Sequence, residues 1–132
     1  MTTRTASCSC GQLTATTRGE PIRVSICHCR ACQRRSGNVF ATQARFPRDA
    51  VELHGEGKTW SRRGDEGLEV VQTFCPTCGA TVWYQVEEYD ADSIAIPVGA
   101  FADATFPAPT FSVYEERMHP WVKLPPDIGH MD

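Results

Sequence analysis

A mainly β fold with one short helix is the class the sequence predicts, and three observations predict it. Short β-branched or alternating segments recur along the chain. Ten glycines and nine prolines punctuate them. A single polar stretch closed by a glycine has the form of a helix. The 132 residues are 41% hydrophobic and 22% charged. That length and composition suit one globular domain over residues 1–132 and exclude a disordered or collagen-like polymer.

The elements follow in chain order. Residues 13–17 and 23–26 read as strands, the second running into Cys27. Gln33, Arg34, Arg35 and Ser36, ended by Gly37, form the helix. Residues 39–46 and 51–54 alternate as half-buried strands, with Pro47 and Gly55 as punctuation. Residues 59–62 and 68–74 are hairpin arms around Gly64-Asp65-Glu66-Gly67. Strands at 81–86 and 93–98 follow. The proline-dense tail from 97 to 126 is expected to be loops, a strand at 110–114 and a helical turn.

Seven cysteines are the outlying feature, in three clusters: Cys8 and Cys10 before Gly11; Cys27, Cys29 and Cys32; and Cys75 and Cys78 before Gly79. An odd count cannot pair fully within one chain, and every cysteine lies within three residues of another, so the clusters read as metal ligands rather than scattered small hydrophobes. Zinc suits soft thiolates. Cys75-x-x-Cys78-Gly79 is the most specific cluster: two thiolates on a tight turn converge on one ion, and the glycine can take the left-handed conformation such turns use. Cys8 and Cys10 are the natural second pair, since residues two apart in an extended segment point to one side. A closed four-thiolate site would then pin the N-terminal region to the middle of the chain.

Cys27, Cys29 and Cys32 remain, three donors without an evident fourth. Structural zinc is filled by four protein ligands; catalytic zinc keeps three and an exchangeable position. His28 is one candidate fourth ligand, although in an extended segment it points away from its neighbours. A reactive dithiol of Cys29 and Cys32 is another reading, and it leaves Cys27 unexplained.

Other residues take plainer readings. Trp60, Trp83, Trp121 and six phenylalanines are assigned to core and edge packing. His54, His119 and His130 are read as surface or satisfied groups, and Asp65-Glu66 and Glu87-Glu88 as turn and surface charges. Arg30, Arg34 and Arg35 are read first as a solvated helix face and second as contacts for substrate carboxylates. A net charge of −3 gives no general attraction to nucleic acid or anionic lipid. No apolar run is long enough to span a bilayer, and residues 1–7 lack the apolar stretch of a signal peptide, so the expected location is the cytoplasm with no membrane partner. No phosphate loop or nucleophile elbow is present.

The ordered set Cys8-x-Cys10-Gly11, Cys27-His28-Cys29-x-x-Cys32 and Cys75-Pro76-x-Cys78-Gly79 resembles the glutathione-dependent formaldehyde-activating enzyme family. Gly99-Ala100-Phe101, Pro109, and Trp121 before Leu124-Pro125 resemble that family's C-terminal half. The resemblance implies a β-tent fold of packed antiparallel sheets with two Zn2+ sites. It makes Cys8, Cys10, Cys75 and Cys78 the structural ligands and Cys27, Cys29 and Cys32 the catalytic ones. It also implies a carbon–sulfur lyase that joins a small thiol (glutathione or an analogue) to a small electrophile such as formaldehyde, giving S-(hydroxymethyl)glutathione-type adducts. The alternative is a non-catalytic, zinc-stabilised protein-interaction module. The longer N-terminal and inserted segments of the enzymes that give the family its name have no counterpart here. The resemblance therefore speaks for the class of chemistry more than for the pair glutathione and formaldehyde.

Overall fold

The computed structural model describes residues 1–64, 67–86 and 92–131. The charges at Asp65-Glu66 and Glu87-Glu88 lie outside the described residues. Eleven strands and one α-helix succeed one another as β1 (Thr3–Ser7), β2 (Thr14–Arg18), β3 (Arg23–Cys27), α1 (Arg30–Ser36), β4 (Ala41–Pro47), β5 (Val51–His54), β6 (Lys58–Arg63), β7 (Glu69–Phe74), β8 (Thr81–Val86), β9 (Ser93–Pro97), β10 (Phe111–Val113) and β11 (Gly129–Met131). Three 3₁₀ turns add Arg48–Ala50, Val98–Phe101 and Glu115–Arg117. The fold is mainly β with one short helix, as the sequence predicts.

The strands form two packed sheets. The smaller has the order β1-β2-β5 and the larger the order β11-β10-β3-β4-β9-β8-β7-β6. Pairing is antiparallel except at one edge of the larger sheet, where β10 runs parallel to both β3 and β11. The expected packed antiparallel sheets are present, and the parallel edge has a topological reason. The chain reaches β10 through a long proline-rich connection, which enters the sheet from the same end as β3 and removes the constraint that hairpins impose.

Period-two alternation gives β3, β4 and β9 two different faces. Val24, Ala44, Phe46, Ile94 and Ile96 point to the main core, where they meet Ala6, Leu13, Ala15 and Val51 of the smaller sheet and its flanks. Phe46, Leu13, Ile94 and Ile96 are fully buried, each contributing roughly 1.5–3 kcal/mol by leaving water. Phe101 and Phe106 stack at 4.7 Å and close one end of this core. The opposite face carries Ser25, Cys27, Gln43 and Arg45, and above it lies a cavity of about 570 Å³.

Two strands lie outside the sequence expectation. β1 is polar but for Ala6, yet it pairs along its whole length with β2, Thr3 to Arg18 through Ser7 to Thr14. β11 is a three-residue edge. The helix begins three residues before the predicted start, because Cys29 caps it: its thiolate accepts from the Cys32 N–H at 3.3 Å. The tryptophans divide. Trp83 packs against the main core, whereas Trp60 and Trp121 are 55% and 65% exposed, so their assignment to packing is corrected. Among the described residues no helix is long and apolar enough to cross a membrane.

Candidate metal centres

Four cysteines meet between the turn after β1 and the turn before β8. The Sγ atoms of Cys8, Cys10, Cys75 and Cys78 all lie within 4.8 Å of one another. Cys10 Sγ stands 3.6 Å from both Cys8 Sγ and Cys75 Sγ. A tetrahedron with Zn–S bonds of about 2.3 Å has S···S edges of about 3.8 Å, so this spacing and this all-sulfur donor set fit zinc.

Backbone geometry builds the cluster. Cys8 N–H donates to Leu13 O at 2.9 Å and Cys75 N–H to Ala80 O at 3.0 Å, each closing a short loop that carries two thiols. Gly11 and Gly79, directly after the second thiol of each pair, have φ of 89° and 83°, the left-handed conformation that a Cβ would strain. Donors then face sulfur: Leu13 N–H reaches Cys8 Sγ at 3.3 Å, and Thr77 N–H reaches Cys75 Sγ at 3.4 Å. Gln12 Nε2 donates to Cys75 Sγ at 3.0 Å and lowers that thiol to about 6, with the N–H groups of Cys78 and Thr77 adding to the effect. Gln12 is itself held by Glu56, whose O accepts from Nε2 at 2.8 Å and whose N–H donates to Oε1 at 3.0 Å. The sequence reading did not find Gln12; its position two residues after Cys10 was the only available signal.

The second set lies at the end of β3 and the start of α1. The Sγ atoms of Cys27, Cys29 and Cys32 lie within 4.8 Å of one another, with Cys27 and Cys32 buried and Cys29 half-buried. Hydrogen bonds from the Cys27 and Cys32 thiols pull Cys29 far below the ordinary thiol range, helped by the Cys32 N–H and by Arg62. Cys27 moves the opposite way, through its hydrogen bonds to Cys29 and Cys32 and its burial. A cluster that gathers negative charge on one sulfur suits a cation, and three sulfurs leave a tetrahedral ion one further position.

His28 does not join either cluster. Its ring is fully buried on the far side of β3, with Nε2 at 2.9 Å from Ser112 Oγ and Nδ1 without a partner. Burial lowers its pKa, favouring the neutral ring. The alternation that placed it opposite Cys27 and Cys29 holds. The remaining histidines are partnered: His54 with Glu52, His119 with Gln33, and His130 with Glu115.

The three-cysteine set opens into the 570 Å³ cavity, which seven arginines line. Arg23 and Arg45 lie opposite each other on β3 and β4, Arg30 and Arg34 come from α1, Arg62 and Arg63 from β6, and Arg117 from the 3₁₀ turn after β10. Both readings of the helix arginines, a solvated face and a front toward a ligand, therefore apply to Arg30 and Arg34. Arg30 and Arg34 are exposed but front the cavity, and Arg35 stacks on the Tyr84 ring at 5.0 Å. Sequence gave no sign of the other members, because sheet register and hairpin closure gather residues from 23 to 117.

Comparison with known proteins agrees with this architecture. A crystal structure of a Rhodobacter sphaeroides protein, a structural genomics target, superposes with a TM-score of 0.55 at 19% identity, covering 73% of this chain and 85% of that one, and shows the shared fold. A search of curated proteins finds no match. The sequence model of the family described as glutathione-dependent formaldehyde-activating enzyme matches residues 3–117. With both cysteine clusters inside that span, this chain belongs to the glutathione-dependent formaldehyde-activating enzyme family.

Proposed function

We propose that the chain works as a single unit, a zinc-dependent carbon–sulfur lyase-like enzyme that forms or breaks a thiol–aldehyde adduct of the S-(hydroxymethyl)glutathione type. Cys8, Cys10, Cys75 and Cys78 hold a structural ion in this reading, and Cys27, Cys29 and Cys32 hold the reactive one. The observation that carries it is the contrast between the clusters: four sulfurs complete one tetrahedron, while three sulfurs stand at the floor of a cavity large enough for a small peptide-sized thiol.

Cys27, Cys29 and Cys32 would hold a zinc ion whose Lewis acidity would favour the thiolate form of an incoming thiol and polarise an aldehyde oxygen. The chain's own groups do the rest. Cys27, Cys29 and Cys32 give a site of net charge −1, which suits exchange of a thiolate better than hydrolysis of a stable bond. The Cys32 N–H holds Cys29 Sγ in place at 3.3 Å. The cavity arginines orient the anionic part of the substrate so that its sulfur faces the aldehyde carbon. The reaction balances without a redox partner: sulfur bonds to the aldehyde carbon, the C=O π bond opens, and the thiol proton ends on the new hydroxyl.

Metal analysis of the wild type and Cys29→Ser, paired with exchange NMR on a glutathione–formaldehyde mixture, tests the reading. The expected result is two zinc ions falling to one, with loss of accelerated exchange in a folded variant. Unaltered exchange in folded Cys29→Ser would reject it. Two ions in the wild type with no acceleration would favour the protein-interaction module.

A further inference from the structure

Among the described residues, the charged side chains lining the cavity above Cys27, Cys29 and Cys32 are all of one sign. Seven of the chain's 13 lysines and arginines line it, while no aspartate or glutamate does among the described residues, although the whole chain carries −3. Salt bridges among the described residues involve none of Arg30, Arg34, Arg62 and Arg117. Guanidinium groups gathered in a recess repel one another and concentrate field, and each presents a fork that matches two oxygens of a carboxylate or phosphate. A cation placed there meets the reverse.

An independent feature points to the uncharged part of the ligand. Gln43 is only 6% exposed and lines the cavity beside Ser25, yet its Oε1 has no hydrogen-bond partner among the described residues. A buried acceptor left unpaired keeps its desolvation cost until a donor reaches it. With guanidiniums ready for the anionic groups, the donor that Oε1 awaits is an amide N–H or a hydroxyl.

We propose that this cavity selects a small thiol carrying at least two negative charges, on carboxylate or phosphate, and a neutral N–H or O–H donor for Gln43, and that it discriminates against an ammonium group. The thiol in this statement rests on the function proposed above; the anion selectivity does not. Glutathione meets the description only in part: its two carboxylates and amides fit, and its ammonium opposes Arg30, Arg34, Arg62 and Arg117.

Isothermal titration of the zinc-loaded protein at low salt tests this with glutathione, N-acetylglutathione, mercaptosuccinate, 4′-phosphopantetheine and neutral 2-mercaptoethanol. N-acetylglutathione is expected to bind about tenfold or more tightly than glutathione, with the gap narrowing as salt rises. Mercaptosuccinate against 4′-phosphopantetheine tells carboxylate from phosphate preference. Arg34→Gln weakens the anionic thiols about tenfold and leaves 2-mercaptoethanol unchanged, while Arg62→Gln, which also acts on Cys29, weakens the anionic thiols more than 2-mercaptoethanol. Gln43→Met weakens the amide-bearing thiols and spares mercaptosuccinate. Equal affinity for N-acetylglutathione, glutathione and 2-mercaptoethanol, or indifference to both arginine variants, overturns the inference while leaving the proposed reaction intact. Failure of every thiol to bind overturns the proposed reaction instead. Titration with succinate, which has no sulfur, then decides the anion cavity alone: binding lost in Arg62→Gln upholds it, and no binding to the wild type ends it.

Discussion

Gln12 Nε2 donates a hydrogen bond to Cys75 Sγ at 3.0 Å and so joins the turn after β1 to the turn before β8. The bond orients one thiolate of the four-cysteine cluster and favours its charged form. Partners of this kind, one shell out from the ligands, typically govern metal affinity by about 10–100-fold. Gln12→Met is expected to lose zinc from this cluster faster to a chelator, by that order, while the three-cysteine set keeps its ion. Unchanged release kinetics in a colorimetric chelator assay would remove Gln12 from that role.

The same cluster bridges the smaller sheet's first turn to the larger sheet. Cys78→Ser breaks that bridge, whereas Cys29→Ser changes a site that faces a cavity. We therefore expect Cys78→Ser to lower Tm by about 10 °C or more, since each kcal/mol moves a domain of this size by about 2–8 °C. Cys29→Ser is expected to shift it by much less. Differential scanning calorimetry of both, with zinc content measured on the same samples, checks the order; equal shifts would contradict it.

His28 and Ser112 form a buried pair between β3 and β10, at the edge where the strands run parallel. Ser112→Ala leaves the ring, whose Nδ1 already lacks a partner, without either contact. The expected loss is about 1–3 kcal/mol in urea denaturation of the zinc-loaded protein. A midpoint equal to wild type would show that the ring finds another partner.

Glu115 is hydrogen-bonded by His130, which holds its carboxyl below the ordinary value of 4.5. A carboxyl lowered in the folded state adds stability above its unfolded pKa, and that stability is lost as pH falls through the folded pKa. His130 is 62% exposed and Glu115 29%, so solvent screening keeps the contribution under about 1 kcal/mol. Glu115→Gln is expected to be slightly less stable than wild type at pH 6, the two converging as pH falls through the lowered carboxyl pKa. Denaturation curves that stay parallel down to acid pH would refute the assignment.

What the sequence made legible was whatever repeats at short range. The cysteine spacings predicted both clusters, because ligands two or three residues apart are local geometry. The strands with clear alternation or β-branched runs, such as β4 and β7, were read nearly to their ends. β1 escaped because Thr3, Arg4 and Thr5 carry no apolar signal; β2 and the cluster at Cys8 and Cys10 hold it in the sheet. The early start of α1 escaped because a cysteine acts as its cap. The arginine cavity was illegible for a different reason. Arg23, Arg62 and Arg117 are neighbours only after β3, β6 and the turn beyond β10 take their places, and no local pattern records that closeness.

Along β3, Val24 and Ile26 serve packing while Arg23, Ser25 and Cys27 serve the opposite side. Strand pleating thus separates two kinds of inheritance within five consecutive residues. Odd positions other than Cys27, which the cysteine cluster fixes, can vary toward a new substrate with little effect on the main core, and even positions can be repacked without retuning what is recognised. A single inserted residue would exchange the two sets and destroy both at once, so this strand tolerates replacement far better than any change in length.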